Sequence, residues 1–332
     1  MLFDGANILI TGGTGSLGSF LLRRLLTGEQ GIPDRIIILS RDEAKQSSLK
    51  SIYALGDASL REVFNKHVEF HIGDIRDYSS VAEALDGIDI VFNAAALKQV
   101  PACEFYPFEA VRTNIEGPEN IIRAIQQRKL NIKTVIGIST DKAVKPVNVM
   151  GMTKAIQERL FLSGYQRCPD TRFVCARYGN VLASRGSVIP LFQDQIKNGG
   201  PITITDPTMT RFLLSLDGAV DAVFVAVEHG VSGEIFVPDM LSARVTDIAK
   251  IMIGDKPIKI EITGIRPGEK IHEILISEEE IPRTYKYNNY FVVSSALGEF
   301  KGTPCLKREF NSADVALSFE EVKNLLITNG LL

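Results

Sequence analysis

The stretch Asn7-Ile8-Leu9-Ile10-Thr11-Gly12-Gly13-Thr14-Gly15-Ser16-Leu17-Gly18 decides how the first half of the chain is read. A short apolar run ends in a glycine-rich turn, and the turn opens a segment whose apolar face begins Phe20, Leu21, Leu22. Gly12, Gly15 and Gly18 have G-x-x-G-x-x-G spacing. The missing β-carbons let a pyrophosphate sit against a helix N-terminus, where unpaired N–H groups and the helix dipole favour negative charge. The bland alternative is a tight structural turn. With strand, turn and helix all in place, the motif predicts a dinucleotide held by Gly12, Thr14, Gly15, Ser16, Leu17 and Gly18.

Outward from this motif, β-branched runs alternate with helix-length amphipathic stretches through the first 180 residues. That alternation is the signature of a parallel sheet covered on both faces. Strands are expected at residues 7–11, 35–40, 68–72, 88–93, 134–139 and 171–177. The predicted fold is therefore α/β, a Rossmann-type doubly wound parallel sheet over residues 1–180. After Asn180 the pattern loosens into loops between short elements. Residues 181–332 are read as a smaller substrate-binding region that shares the cleft.

Composition limits the function. The 332 residues are 45% hydrophobic and 23% charged, with a formal net charge of −3. This describes an ordinary soluble protein with no basic face for nucleic acid. Cys103, Cys168, Cys175 and Cys305 show no metal-ligand spacing among themselves or with the four histidines, so free thiols and a cytoplasmic location are expected. No run approaches the roughly 18 apolar residues of a membrane span.

The ends of the later strands refine the cofactor expectation. Ser40-Arg41-Asp42 follows the second strand, with Lys45 one helical turn on. A guanidinium there matches a 2′-phosphate by bidentate hydrogen bonding, which favours NADP. In the alternative reading Arg41 is a solvated loop residue, Asp42 meets the ribose hydroxyls, and NAD is bound. Asp74 and Ile75 are placed at the adenine edge, and Ala94-Ala95-Ala96 keeps side chains small beside the nicotinamide half. Asn114 is either an interior polar residue or the holder of a structural water.

Ser139-Thr140-Asp141-Lys142, followed by Met150 and Lys154, stands where short-chain dehydrogenases carry Ser/Thr and Tyr-x-x-x-Lys. Lys154 lies four residues after Met150, so a helix beginning near Asn148 puts both on one face. A thioether cannot take the proton that the tyrosine takes. The added Asp-Lys pair, at the carboxyl end of a strand, suggests redox chemistry joined to an elimination. Its bland reading is an Asp cap beside a surface lysine.

These residues, together with Ala95-Ala-Leu-Lys-Gln-Val-Pro101, Arg177-Tyr-Gly-Asn180, Ser184-Arg-Gly-Ser-Val-Ile-Pro190, Met209-Thr-Arg-Phe212 and Arg266-Pro-Gly-Glu-Lys270, resemble the UDP-N-acetylglucosamine 4,6-dehydratase family of polysaccharide biosynthesis proteins. The likeness covers about residues 1–290. It implies an extended short-chain dehydrogenase/reductase fold, UDP-GlcNAc as substrate and a tightly held nicotinamide cofactor regenerated in each turnover. The product implied is a UDP-4-keto-6-deoxy-HexNAc. Asp141 is then expected to protonate the departing C-6 hydroxyl. Lys142, if burial lowers it from about 10.4 toward neutrality, is expected to take the C-5 proton. Either of them, or a water held by Thr140 and Lys154, is left to take the C-4 hydroxyl proton. Met150 resembles members that retain configuration at C-5, and the chain resembles their catalytic domain without N-terminal membrane helices.

Arg177, Asn180, Arg185 and Arg266 are expected to clamp a diphosphate. Lys98 is expected to meet the hexose, and Tyr178, Ser187, Val188 and Thr210 to line the substrate region. Glu269 either accepts from the uridine ribose or is an acid in the first turn of a helix carrying His272 and Glu273. Helices around residues 109–127 and 151–163 suggest a homo-oligomer by analogy. The rival readings are an inverting dehydratase, a UDP-sugar 4-epimerase or ketoreductase, and a non-catalytic NADP-binding protein.

Overall fold

The computed structural model describes residues 1–184, 186–297, 300 and 302–332. Six strands carry the first half: β1 (Asn7–Thr11), β2 (Arg35–Ser40), β3 (Val68–Ile72), β4 (Ile90–Asn93), β5 (Thr134–Thr140) and β6 (Arg172–Tyr178). They lie in the order 3-2-1-4-5-6, every neighbouring pair parallel. This is the expected Rossmann-type doubly wound sheet. β4 begins two residues later than expected, while β5 and β6 each run one residue further. Those last residues, Thr140 and Tyr178, pair in register and both reach the cleft described below.

The runs Ile8–Ile10, Ile36–Ile38, Val91–Phe92 and Val135–Ile136 are almost wholly buried, as strands covered on both faces require. The helix Val149–Gly164 lies across β5 and β6. A β-carbon on Gly137 of β5 would stand 2.4 Å from the Phe161 ring of that helix, so the glycine sets the close approach. Asn148 caps the helix, its Oδ1 accepting from Gly151 N–H at 2.7 Å. Met150 and Lys154 thus share a face, as their spacing predicts.

Beyond residue 180 the chain also feeds the sheet. Glu234–Pro238 adds parallel to β6, and Thr284–Tyr287 and Tyr290–Val293 extend that edge as an antiparallel pair, giving nine strands. A second apolar core, including Phe192, Ile202, Ile204, Ile248, Val322 and Leu326, lies among the helices Val188–Lys197, Val245–Ile253 and Phe319–Thr328 and the strand Ile202–Ile204. Among the described residues no helix is long and apolar enough to cross a membrane.

Arg177 corrects an expectation. It is 2% exposed, and its guanidinium donates to Glu158 (2.8 and 2.7 Å), Glu280 (2.9 and 2.8 Å) and the Leu275 carbonyl (2.9 Å). All five N–H groups of the fork are committed, so none is left for a diphosphate. The side chain joins β6 to the Val149–Gly164 helix and to the 275–280 segment. Burial raises the Glu280 pKa, but the Arg177 charge and its hydrogen bonds win and hold it down at about 2. Because the folded value is depressed, its contribution to stability is full above the ordinary glutamate range and fades as pH falls toward 2. Arg177→Ala, which strands two buried carboxylates, is expected to cost about 3–5 kcal/mol in urea unfolding at neutral pH.

Candidate active site

A cleft of 1180 Å³ runs along the carboxyl ends of the parallel strands and under loops from the C-terminal half. Pockets for one small ligand span about 300–1,000 Å³. This one is larger than that range.

The glycine turn forms one wall, and its glycines differ in kind. Gly12 has φ +67°, and a β-carbon there would lie 2.7 Å from Ala95 Cα. On Gly18 it would lie 2.6 Å from the Gly12 carbonyl and from Gly13 Cα. Both are fixed by packing of the chain on itself. Gly15 meets only the Gly12 carbonyl, at 3.2 Å, and stands as N-cap of the helix Ser16–Leu26 with no side-chain cap. Its bareness serves whatever approaches from the cleft. Thr14, Ser16, Leu17, Ala94, Ala95 and Ala96 line the same wall. Thr11 anchors the alanines: its carbonyl accepts from Ala94 N–H (3.2 Å) and its Oγ1 accepts from Ala95 N–H (3.3 Å).

Ser40, Arg41, Asp42, Lys45, Asp74 and Ile75 all line the far end. Asp42 caps the helix Glu43–Leu55, accepting from Lys45 N–H, and pairs with the Lys45 ammonium at 2.8 Å. That side-chain contact holds its carboxyl below the ordinary range. Arg41 stands 3.5 Å from Asp74 and is half exposed, while Arg76 grips the same carboxylate at 2.6 Å. Gln46 was not anticipated. Buried, it donates to the carbonyl and hydroxyl of Ser40 and to the His71 carbonyl, and fixes this rim. A lone glutamine in an amphipathic helix gives no local sign of such a role.

Asn114 does not reach the cleft. It sits in a π-helical turn, Arg112–Glu116, where its amide accepts from Leu97 N–H and donates to the Leu97 carbonyl and to Thr153 Oγ1. It positions the loop after β4. Its neighbour Thr113 lines the cleft, and the buried hydroxyls of Thr113, Ser139 and Ser187 have no partner among the described residues. Such groups fit a polar ligand between them.

The remaining wall gathers Thr140, Lys142, Met150 and Lys154. Lys154 donates to the Ile138 carbonyl (2.5 Å) and to Gln157 Oε1 (2.6 Å), and burial pulls its pKa down to about 8. Met150 is buried beside it with Cys103 and Ala110. Thr140 and Lys142 face the cleft, but Asp141 is fully buried behind them. Asp141 Oδ1 accepts from Thr140 Oγ1 and from Lys142 Nζ, each at 3.0 Å. Lys142 also donates to Asn180 Oδ1 (3.3 Å) and pairs with Glu273 Oε1 (3.1 Å).

Lys142 therefore departs from expectation. Burial alone lowers it, but Asp141 and Glu273 outweigh burial and raise its pKa above the ordinary lysine value. It is a held cation, not a base tuned toward neutrality. Burial pushes Asp141 up, against the pull of Lys142. Glu273 goes down, because Lys142, Arg211 and Lys270 together overcome its burial. No helix carries His272 and Glu273; His272 lies in a bend and Glu273 leads from it into the strand Ile274–Ile276.

Among the substrate candidates, Lys98, Tyr178, Asn180, Ser187, Val188, Arg266 and Glu269 line the cleft. Thr210 does not; it hydrogen-bonds His272 Nδ1 (2.8 Å) and Ser312 Oγ (2.7 Å). Its neighbour Arg211 faces the cleft instead, since successive strand residues point to opposite sides. Glu269 accepts from the Arg266 N–H at 3.3 Å, and Asn148 Nδ2 donates to the Gly268 carbonyl at 2.7 Å, which ties this loop to the start of the Val149–Gly164 helix. Arg185 lies outside the described residues.

Gly15→Ala separates a ligand site from a plain turn. The backbone there is extended (φ −76°, ψ 172°) and an added β-carbon meets the Gly12 carbonyl at 3.2 Å, so thermal stability is expected to fall by no more than about 1 kcal/mol. Affinity for nicotinamide dinucleotides, measured by calorimetry, is expected to fall by roughly tenfold or more.

Residues 8–295 match the family model described as polysaccharide biosynthesis protein. A UDP-glucose 4-epimerase of Rickettsia conorii (strain ATCC VR-613 / Malish 7) is 43% identical over 344 aligned residues, covering 98% of this chain and 97% of the relative. The protein of the same name from Rickettsia bellii (strain RML369-C) is 43% identical over 342, covering 98% and 96%. Among solved structures, Pen from Bacillus thuringiensis superposes with a TM-score of 0.91 at 36% identity, covering all of both chains. DesIV, a dTDP-glucose 4,6-dehydratase from Streptomyces venezuelae, shares the fold at 22% identity with a TM-score of 0.68, covering 80% of this chain and 86% of its own. The chain belongs to the polysaccharide biosynthesis protein family.

Proposed function

We propose that the protein is a nicotinamide-dependent UDP-N-acetylglucosamine 4,6-dehydratase that retains configuration at C-5. In this reading residues 1–180 hold the cofactor and 181–332 the sugar nucleotide. The observation that carries it is the Thr140–Asp141–Lys142 turn, a buried acid and a cation facing the cleft at the end of β5. Elimination of water needs a proton donor at the leaving hydroxyl, and this turn supplies one.

A nicotinamide dinucleotide on the glycine wall supplies a hydride acceptor for C-4 and, later, a donor for C-6. The proposal takes NADP, with Arg41 and Lys45 toward the 2′-phosphate. The C-4 hydroxyl proton goes to the wall formed by Thr140 and Lys154. As a neutral amine Lys154 has two N–H groups for its two acceptors and a lone pair left over. Asp141 does not reach the cleft, so its proton passes through Thr140 or Lys142. Lys98, Asn180 and Arg266 are assigned to the sugar nucleotide, and so is Arg211.

A second reading is a UDP-sugar 4-epimerase, favoured by the names of the Rickettsia relatives. Epimerisation needs only hydride transfer and a C-4 proton acceptor. It leaves the buried Asp141–Lys142 turn without employment. Incubated with UDP-GlcNAc, the protein is expected to yield a sugar nucleotide lighter by one water in the mass spectrum. Lys142→Ala is expected to lower that rate by roughly 10²–10⁴-fold; an epimeric product of unchanged mass, formed equally well by Lys142→Ala, would support the second reading. The rate is also expected to rise with pH and level off above about 8, where Lys154 is neutral.

A further inference from the structure

Gln157 lies three residues beyond Lys154 on the Val149–Gly164 helix and is fully buried. Nothing in the sequence marks it, and it stands behind the cleft wall, not in it. Its amide works in one direction: Oε1 accepts from Lys154 Nζ at 2.6 Å, and Nε2 donates to the Ile138 carbonyl at 3.0 Å. Lys154 donates to the same carbonyl at 2.5 Å, which closes a triangle of three groups. The direction is forced. A lysine nitrogen donates in either protonation state and a carbonyl only accepts, so the amide must turn its oxygen to Lys154 and its NH2 to Ile138.

Two acceptors therefore hold two of the three positions on the Lys154 nitrogen. As an ammonium it keeps one N–H over, and as an amine it keeps one lone pair. In both states a single position is left for the cleft, which Lys154 lines. Neither acceptor carries a charge. Among the described residues, the titratable groups that act on Lys154 are Glu158 on its own helix and Cys175 on β6. Both carboxylate oxygens of Glu158 are taken by the Arg177 guanidinium, and burial pushes the Cys175 thiol far above the usual thiol range, so it stays protonated. Lys142, gripped by two carboxylates, is the contrast. An uncharged acceptor orients a nitrogen without fixing its proton, whereas a carboxylate in the same place favours the charged form.

We propose that Gln157 is a positioning residue for Lys154, its uncharged amide aiming the one free position of that nitrogen at the C-4 hydroxyl of the sugar. The assignment rests on the reading in which Lys154 receives the C-4 proton, a step that dehydration and epimerisation share. As the C-4 O–H bond breaks, its proton bonds to the lone pair of Lys154. The C-4–H bond breaks with its electron pair, the hydrogen leaves as hydride to the oxidised nicotinamide, and the C–O bond becomes a carbonyl. Gln157 exchanges no proton itself. It fixes the direction of the lysine nitrogen and leaves its charge free to change.

The test titrates Lys154 directly, by NMR of the purified protein carrying isotope-labelled lysine, with the resonance identified through Lys154→Arg. The wild type is expected to titrate at about 8. Gln157→Glu places a carboxylate against the nitrogen and is expected to raise that midpoint by roughly one pH unit or more. The rate of C-4 oxidation, followed as reduced nicotinamide absorbance on mixing with UDP-GlcNAc, is expected to need a correspondingly higher pH, since only the neutral amine accepts the proton. Gln157→Met keeps the volume, removes the acceptor, and is expected to lower the plateau rate roughly 10–100-fold with little change in KM. That second variant decides the matter if Gln157→Glu does not fold. An unmoved midpoint in folded Gln157→Glu, or an unmoved plateau rate in folded Gln157→Met, is what a purely structural glutamine would give and overturns the proposal. A midpoint that rises while the pH dependence of oxidation stays in place overturns the reading of Lys154 as proton acceptor, and the proposal with it.

Discussion

The guanidinium of Arg177 is the constraint on which the arrangement of the molecule turns. A fully buried cation can persist only if every donor is matched and its charge is met nearby. Arg177 meets the requirement with two carboxylates and a carbonyl drawn from two separate parts of the chain, Glu158 and the 275–280 segment. The carbonyl belongs to Leu275, two residues beyond Glu273. The interaction that closes the C-terminal segment onto the sheet thereby also sets a carboxylate opposite Lys142. The fold and the cleft share one anchor.

Within the cleft, environment separates groups that are alike in sequence. Asp141 and Glu273 both contact the Lys142 ammonium, yet burial carries one up while three nearby cations carry the other down. Lysines diverge in the same way: Lys142, between two acids, is held charged, and Lys154, hydrogen-bonded to a carbonyl and an amide, is pulled down by burial. Met150 becomes intelligible in that setting. A wall that already holds a neutralisable amine and a buried acid has proton carriers of its own, and the tyrosine position is filled by packing against Cys103 and Ala110.

What was legible in the sequence was local. The strand, glycine turn and helix around Gly12–Gly18 are encoded within a dozen residues, as is the Asn148-capped helix that aligns Met150 with Lys154. The misreadings needed distant partners. Arg177 looked like a diphosphate ligand because Glu158 and Glu280, 19 and 103 residues away, are invisible to any motif. Thr210 was the candidate and Arg211 was not, and only the register of their strand, fixed by its pairing with Ser242–Arg244, shows that Arg211 faces the cleft. Lys142 carries a pKa expectation that reverses once Asp141 and Glu273 are placed against its ammonium. Glu273 itself was assigned to a helix that does not form, since Ile274–Ile276 pairs as a strand with Phe310–Asn311.

The account's central claim is that C-4 oxidation here leads on to loss of water across C-5 and C-6. The most direct measurement is proton NMR of the sugar after reaction of the purified protein with UDP-GlcNAc in deuterated water. The account predicts a C-6 methyl group, one solvent deuteron at C-5 and, for the fraction still protonated there, the coupling of the original configuration. A sugar that keeps its C-6 hydroxymethyl group and carries no deuterium at C-5, whether unchanged or inverted at C-4, would contradict it.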